Sequence, residues 1–234
     1  MKWNDVFCHT FKELEKQIKP AVQHLSDFIL PSMAMIDACR ADNFDFFQPF
    51  INAGKLTTEQ MHHAAERYFL GKTRSGLPIF WMLDDMQTPL DAHIGNDEWM
   101  STLLKAREPL LEYWRVSHCL FGLHLLAQQK TVCIVESEQS AVILSELFPE
   151  SVWMAYATTF HLTIDLFAPL EGQNVTFYPR TDPTLSTFLF FEDFADMVRR
   201  QYDINITVDS ILEDHANADQ KDRCIDIIDF ILES

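Results

Sequence analysis

The stretch Thr131 to Phe148, TVCIVESEQSAVILSELF, decides how the rest of the chain is read. Apolar, β-branched and cysteine side chains from Val132 to Val135 run into two carboxylates, Glu136 and Glu138, and an amphipathic pattern begins at Gln139. A short continuous apolar run marks a strand buried on both faces, and the pattern after it predicts a helix over 139–148. Strand, acidic turn and helix together make the first part of a βαβ unit. In an open α/β sheet, ligand chemistry collects just beyond the carboxyl ends of the strands, which makes Glu136 the first candidate for function.

Downstream, the alternation continues. Strands are predicted at Val152 to Ala155, Asn174 to Tyr178 and Ile204 to Val208, with helical patterns over Thr187 to Tyr202 and Asp219 to Leu232 and an apolar segment from Leu162 to Leu170. Strands alternating with helices imply a mostly parallel sheet flanked by helices. Upstream, the spacing from Met1 to Arg67 is helical, broken at Pro20 and near Gly54, and Thr57 with Gln60 forms a capping box. Between these lie short strands at Tyr68 to Lys72, Pro78 to Leu83 and Thr88 to Ile94, expected as a small antiparallel meander. A helix over Asp97 to Arg107 follows, and then an aromatic segment with a helix expected over Phe121 to Ala127. The expected organisation is a helical region over 1–67, a β meander plus helix over 68–117, and an α/β domain over 118–234.

Composition narrows the function classes. The 18 Lys and Arg face 35 Asp and Glu, a net charge of −17, so the chain lacks the cations with which a non-specific nucleic-acid binder neutralises phosphates. No apolar run is long enough to span a bilayer, and Met1-Lys2-Trp3-Asn4-Asp5 lacks the basic start of a secretory signal, so the expectation is a soluble, cytoplasmic protein without membrane contact. The five cysteines are scattered with no CxxC pair, which argues for reduced, mostly buried thiols rather than a zinc module.

The run Val132 to Glu138, its helix, a second strand ending in a small-residue turn and a third ending in Tyr178-Pro-Arg-Thr-Asp182 resemble a Toprim domain, the catalytic α/β domain of DnaG-type primases, topoisomerases and related nucleases. The nearer likeness is to uncharacterised primase-like Toprim proteins of bacterial mobile elements. It is carried by Tyr68-Phe-Leu-Gly71, Ile79-Phe-Trp-Met-Leu-Asp84, His118-Cys-Leu-Phe-Gly122-Leu-His124, the VESE run and Asp226-Ile-Ile-Asp-Phe, and covers residue 44 onward. The resemblance implies a Toprim-like, Rossmann-like sheet, with Glu136 as general acid or base and an Asp-x-Asp after the third strand holding Mg²⁺. Asp182 falls at the second position of that pair, and Glu138 would join it as a ligand in an active site. Hard oxygen ligands suit Mg²⁺, which neutralises phosphate charge in the transition state.

The chain departs from that pattern in three places. Arg180 stands at the first Asp position, Tyr156-Ala-Thr-Thr159 replaces a glycine-containing turn, and no Cys/His zinc module precedes the domain. These departures imply a site whose metal chemistry has been dismantled, with Arg180 in the metal's place and paired with Glu136 or Asp182. The expected function is a non-catalytic accessory or interaction module in a mobile-element or DNA-replication setting, with no cofactor and a possible protein partner. The alternatives are an active Mg²⁺-dependent nucleic-acid enzyme and an acidic imitation of nucleic acid.

Other chemistry-bearing residues read as structural. Glu138 favours a helix N-terminus, and Asp182 before Pro183 is turn chemistry. Of His62 and His63 one is expected buried and one exposed. His118, Cys119 and His124 sit among leucines and are expected in the core. Phe191, Phe194, Val198 and Tyr202 form a core stripe, and the final helix is expected to bury Cys224, Ile227, Ile228 and Ile231 opposite Asp222, Asp226, Asp229 and Glu233.

Overall fold

In the computed structural model the described residues are 31–95, 98–107, 117–126, 131–159 and 162–234. The helical pattern expected over 1–30 lies outside them, as do 110–116 and 127–129 of the aromatic segment after Pro109. The chain is α/β, with a parallel four-stranded sheet flanked by helices and an antiparallel four-stranded sheet. Among the described residues no helix is long and apolar enough to cross a membrane.

The antiparallel sheet runs β1 (Gly71–Lys72), β2 (Pro78–Leu83), β3 (Pro89–Ile94) and β4 (Glu98–Trp99) in sequence order. Before it come α1 (Met33–Cys39), α2 (Gln48–Asn52) and α3 (Thr58–Arg67). The Thr57 capping box is present, with the Thr57 hydroxyl accepting from Gln60 N and the Gln60 side chain accepting from Thr57 N. Tyr68 closes α3 as its C-cap, so the expected strand shortens to Gly71–Lys72. The helix expected from Asp97 starts later, as α4 (Met100–Arg107), because Glu98 and Trp99 pair with β3.

The parallel sheet contains β5 (Val132–Val135), β6 (Val152–Ala155), β7 (Asn174–Phe177) and β8 (Asn205–Val208) in the order β6-β5-β7-β8. Side chains on β5 divide by their period of two. Cys133 and Val135 face a core built with α3 and α5 (Glu138–Leu147), while Val132 and Ile134 face a second core built with α6 (Ser186–Gln201). All four are buried, as a strand covered on both faces must be. Each fully buried Val or Ile contributes about 1.5–3 kcal/mol, so a polar replacement at Ile134 would open both the strand and the α6 core. Phe191, Phe194 and Val198 are buried along α6 as the stripe predicts.

β2 ties the two sheets together: Phe80 and Met82 belong to the α3–α5 core, and Ile79, Trp81 and Leu83 to a third core under α1 and α4. Polar contacts reinforce this docking. The Arg67 guanidinium donates to Ser145 Oγ at 2.5 Å and to Glu146 Oε1 at 2.9 Å, and His63 meets the same Glu146 oxygen at 2.9 Å. His62 and His63 are both exposed, contrary to the expected split, because the buried face of α3 is taken by Met61, Ala64 and Ala65.

Two expected helices are corrected. The Phe121 segment is a sheet edge rather than a helix: Phe121 N donates to Ala155 O at 2.8 Å, and Ala155 N to Phe121 O at 3.0 Å. Gly122 then turns with φ +85°, where a Cβ would lie 2.8 Å from Trp153 O, so only glycine fits. A 3-10 turn over Leu123–Leu125 follows and buries His124, while His118 is exposed. The final helix is split into α8 (Ala218–Asp222) and α9 (Ile227–Glu233), after the short α7 (Ile211–His215). Cys224 adopts φ +52° at the break and is exposed, so the expected buried face through Cys224 does not form.

Candidate functional site

The strand order reverses around β5, since the chain passes from β5 to β6 on one side and then crosses to β7 on the other. Ligand crevices form at such a reversal, outside the carboxyl ends of the strands. Three side chains leave the strand ends there: Glu136 after β5, Tyr156 after β6 and Arg180 after β7. The backbone holds each in place. Ala157 N donates to Glu136 O at 2.9 Å, Tyr178 N to Ile134 O at 2.8 Å, and Thr181 N to Ile225 O at 3.0 Å.

Arg180 approaches Glu136, with Nε 3.4 Å from Oε2. Burial pushes the Glu136 carboxyl above its ordinary value; Arg180 opposes that shift, Asp226 adds to it, and a hydrogen bond with Tyr156 opposes it. Tyr156 is buried, and its hydroxyl is raised by that burial and by the neighbouring carboxylate. The pair is partly exposed, 49% at Arg180 and 26% at Glu136, so its contribution to stability is on the order of 1 kcal/mol or less. It serves position more than stability.

Asp182 is not brought to this pair. Its Oδ1 accepts from Thr184 N at 2.7 Å, Thr184 Oγ1 at 2.6 Å and Ser186 N at 3.2 Å, and its Oδ2 from Thr187 N at 2.6 Å. It therefore caps the start of α6, where Leu185 in the left-handed region offers no side-chain cap. Burial would raise its carboxyl, but the bonds from Thr184 and Thr187 outweigh burial and hold it well below the usual carboxylate range. Glu138, at the start of α5, turns the other way: its Oε1 lies 2.7 Å from His93 Nδ1 on β3, both side chains are buried, and Trp99 stacks on the imidazole.

This donor set does not fit Mg²⁺. The ion needs oxygen ligands at about 2.0–2.1 Å in octahedral array, whereas Asp182 is spent on a helix cap, Glu138 on a histidine, and a guanidinium lies against Glu136. Among the described residues no three His, Cys, Asp or Glu side chains converge to hold a metal.

Three members of the site are not among the candidates that the sequence offers: Tyr156, which reads only as part of a turn, His93 and Asp226. His93 gave no signal, because a histidine on an alternating strand is ordinary. The helical spacing puts Asp226 on the face opposite the apolar one, but it is the N-cap of α9, accepting from Ile228 N and Asp229 N at 3.0 Å, and its other oxygen accepts from Ser140 Oγ at 2.5 Å. Burial raises its carboxyl. A capping signature, Asp226 with Asp229 three residues on, was present in the sequence and could have placed it.

Arg180 and Glu136 divide two clefts. One, of about 380 Å³, opens towards the antiparallel sheet and is lined by His93, Glu138, Asp226 and Asp229. The other, of about 290 Å³, opens towards α6 and is lined by Tyr156, Thr159, Ser186, Thr187 and Phe190. Ala157, with φ +63°, lines the first cleft in the turn that follows β6. A non-glycine residue therefore holds the left-handed conformation at this turn.

Residues 45–181, more than half of the chain, match the family described as a domain of unknown function (DUF6371), and the chain belongs to that family. The match takes in Glu136, Tyr156 and Arg180 and ends just before Asp182. No curated protein matches the chain.

Proposed function

We propose that this member of the DUF6371 family is a Toprim-like, primase-related protein in which Arg180 has taken the place of a metal ion, and that it works as a non-catalytic accessory or interaction module in a mobile-element or DNA-replication setting. The observation that carries the reading is the guanidinium of Arg180 at the reversal point of the sheet, 3.4 Å from Glu136, with Asp182 turned away into the cap of α6. A fixed cation there supplies charge that a divalent ion would supply, but it carries no water to activate and no open coordination position. The net charge of −17 supports a protein partner over a long nucleic acid.

Calorimetric titration of the full chain with Mg²⁺ and Mn²⁺ tests this. No saturable heat is expected from the wild type. Arg180→Asp should create weak, saturable binding if the surrounding carboxylates can still turn inward. A saturable Mg²⁺ signal in the wild type that disappears in Asp182→Ala would establish instead an active Mg²⁺-dependent enzyme using Glu136.

A further inference from the structure

We infer that Arg180 receives one oxyanion, the phosphate or carboxylate group of a small molecule with a flat apolar body, in the cleft between the end of β6 and the start of α6. The inference deepens the reading above and rests on it in taking Arg180, rather than a metal ion, as the cation of the site.

The guanidinium is under-used. It has five N–H donors in a planar fork suited to two parallel bonds with an oxyanion. Among the described residues its one ion-pair contact is that of Nε at 3.4 Å from Glu136, and it makes no hydrogen bond to any of them. The side chain is half exposed and lines both clefts, so its terminal nitrogens are within reach of a ligand.

The two clefts differ in what they offer. On the antiparallel-sheet side an anion would meet Glu138, Asp226 and Asp229. On the α6 side the carboxylate in the wall is Glu136 itself, and the other polar lining groups are the hydroxyls of Tyr156, Thr159, Ser186 and Thr187. The backbone N–H groups of Ser186 and Thr187 are taken by Asp182, so the helix start supplies hydroxyls rather than its own amides. Phe190 lines this cleft and is 46% exposed, its ring packed edge-on to Phe191 and stacked towards Phe194, so part of an aromatic side chain is left accessible to a ligand. A volume of about 290 Å³ suits a single ring with one charged group. A chain of phosphates is disfavoured by the surrounding negative field, whereas one oxyanion meets the guanidinium at close range.

The probes are phenyl phosphate, benzoate and inorganic phosphate, with benzylamine as a cationic control, titrated calorimetrically into the full chain at low salt. Saturable binding of at least one phenyl anion and none of benzylamine is expected, and the tighter of the two phenyl anions identifies the oxyanion. Arg180→Gln should weaken binding at least tenfold, and Arg180→Lys severalfold because the fork is lost. Phe190→Ala should weaken the phenyl anions severalfold and leave inorganic phosphate unchanged. Glu136→Gln should tighten binding, since it releases the guanidinium from its competitor; a merely structural Arg180 would not produce that gain. Absence of saturable binding by both phenyl anions overturns the inference, as does binding that survives Arg180→Gln unchanged. Silence towards both Mg²⁺ and the anions removes this inference alone, whereas a Mg²⁺ signal removes the proposed function with it.

Discussion

Replacing Asp182 with alanine separates a metal ligand from a structural cap. The carboxylate accepts four hydrogen bonds from Thr184, Ser186 and Thr187, and it lies buried at the entrance to the longest described helix, α6. Loss of an N-cap costs roughly 0.5–2 kcal/mol, and hydrogen bonds to a charged group contribute roughly 1.5–3 kcal/mol each when water does not replace them. Here the bonds share one acceptor and the donors lie near the surface, so water recovers part of the loss and the net cost is about 3 kcal/mol. For a chain of this size that corresponds to a fall in Tm of about 6–12 °C. Urea unfolding followed by circular dichroism measures the free-energy loss, and thermal unfolding the shift in Tm. Asp182→Asn, which keeps one carbonyl acceptor, should lose about half as much. The pH dependence provides a second readout. A carboxylate held below its ordinary 3.8 stabilises the fold above that value, and the stability is lost as pH falls from 3.8 towards the folded value. The acid limb of the wild type should therefore be steeper than that of Asp182→Ala. An alanine variant as stable as the wild type at neutral pH, with an unchanged acid limb, would refute the cap.

Two further outcomes follow from buried and strained residues. His124 is held near pKa 4 by burial, against the opposing effect of its bond to Arg67 O, while an unfolded histidine titrates near 6.5. Between those values the unfolded chain binds the extra proton, so stability should fall by about 2–3 kcal/mol from neutral pH to about pH 4.5, and His124→Gln should remove that slope in urea midpoints taken across the range. Ala157 sits at φ +63°, so Ala157→Val, which places a β-branched side chain in the left-handed region, should cost roughly 2 kcal/mol by thermal unfolding, whereas Ala157→Gly should be neutral or slightly stabilising. Equal stability of the Val and Gly variants would show that the turn can relax.

Most of the α/β part was legible because its signals are local. The apolar run Val132 to Val135, the helix expected from Gln139 and the helical stripe Phe191, Phe194 and Val198 each depend on neighbours a few residues away, and each appears within a residue or two of its expected place. The Phe121 segment and the final helix depart from the expected helices for the opposite reason. Gly122 is required by the backbone of Trp153, distant in sequence, and Cys224 breaks a pattern whose apolar spacing is otherwise helical. Glycine and cysteine in those contexts carry no cue to a contact that forms only on folding.

The sequence by itself determined the four parallel strands, the helices α5 and α6, the acidic charge and the presence of Glu136, Arg180 and Asp182 after the strands, because periodicity and residue type act along the chain. The tertiary structure decided which of these meet. Strand order brings Glu136, Tyr156 and Arg180 together at the reversal point, the cap of α6 draws Asp182 away, and docking of β3 places His93 on Glu138. Those pairings are contests among acceptors for the same few donors, and only the folded arrangement sets the distances that settle them.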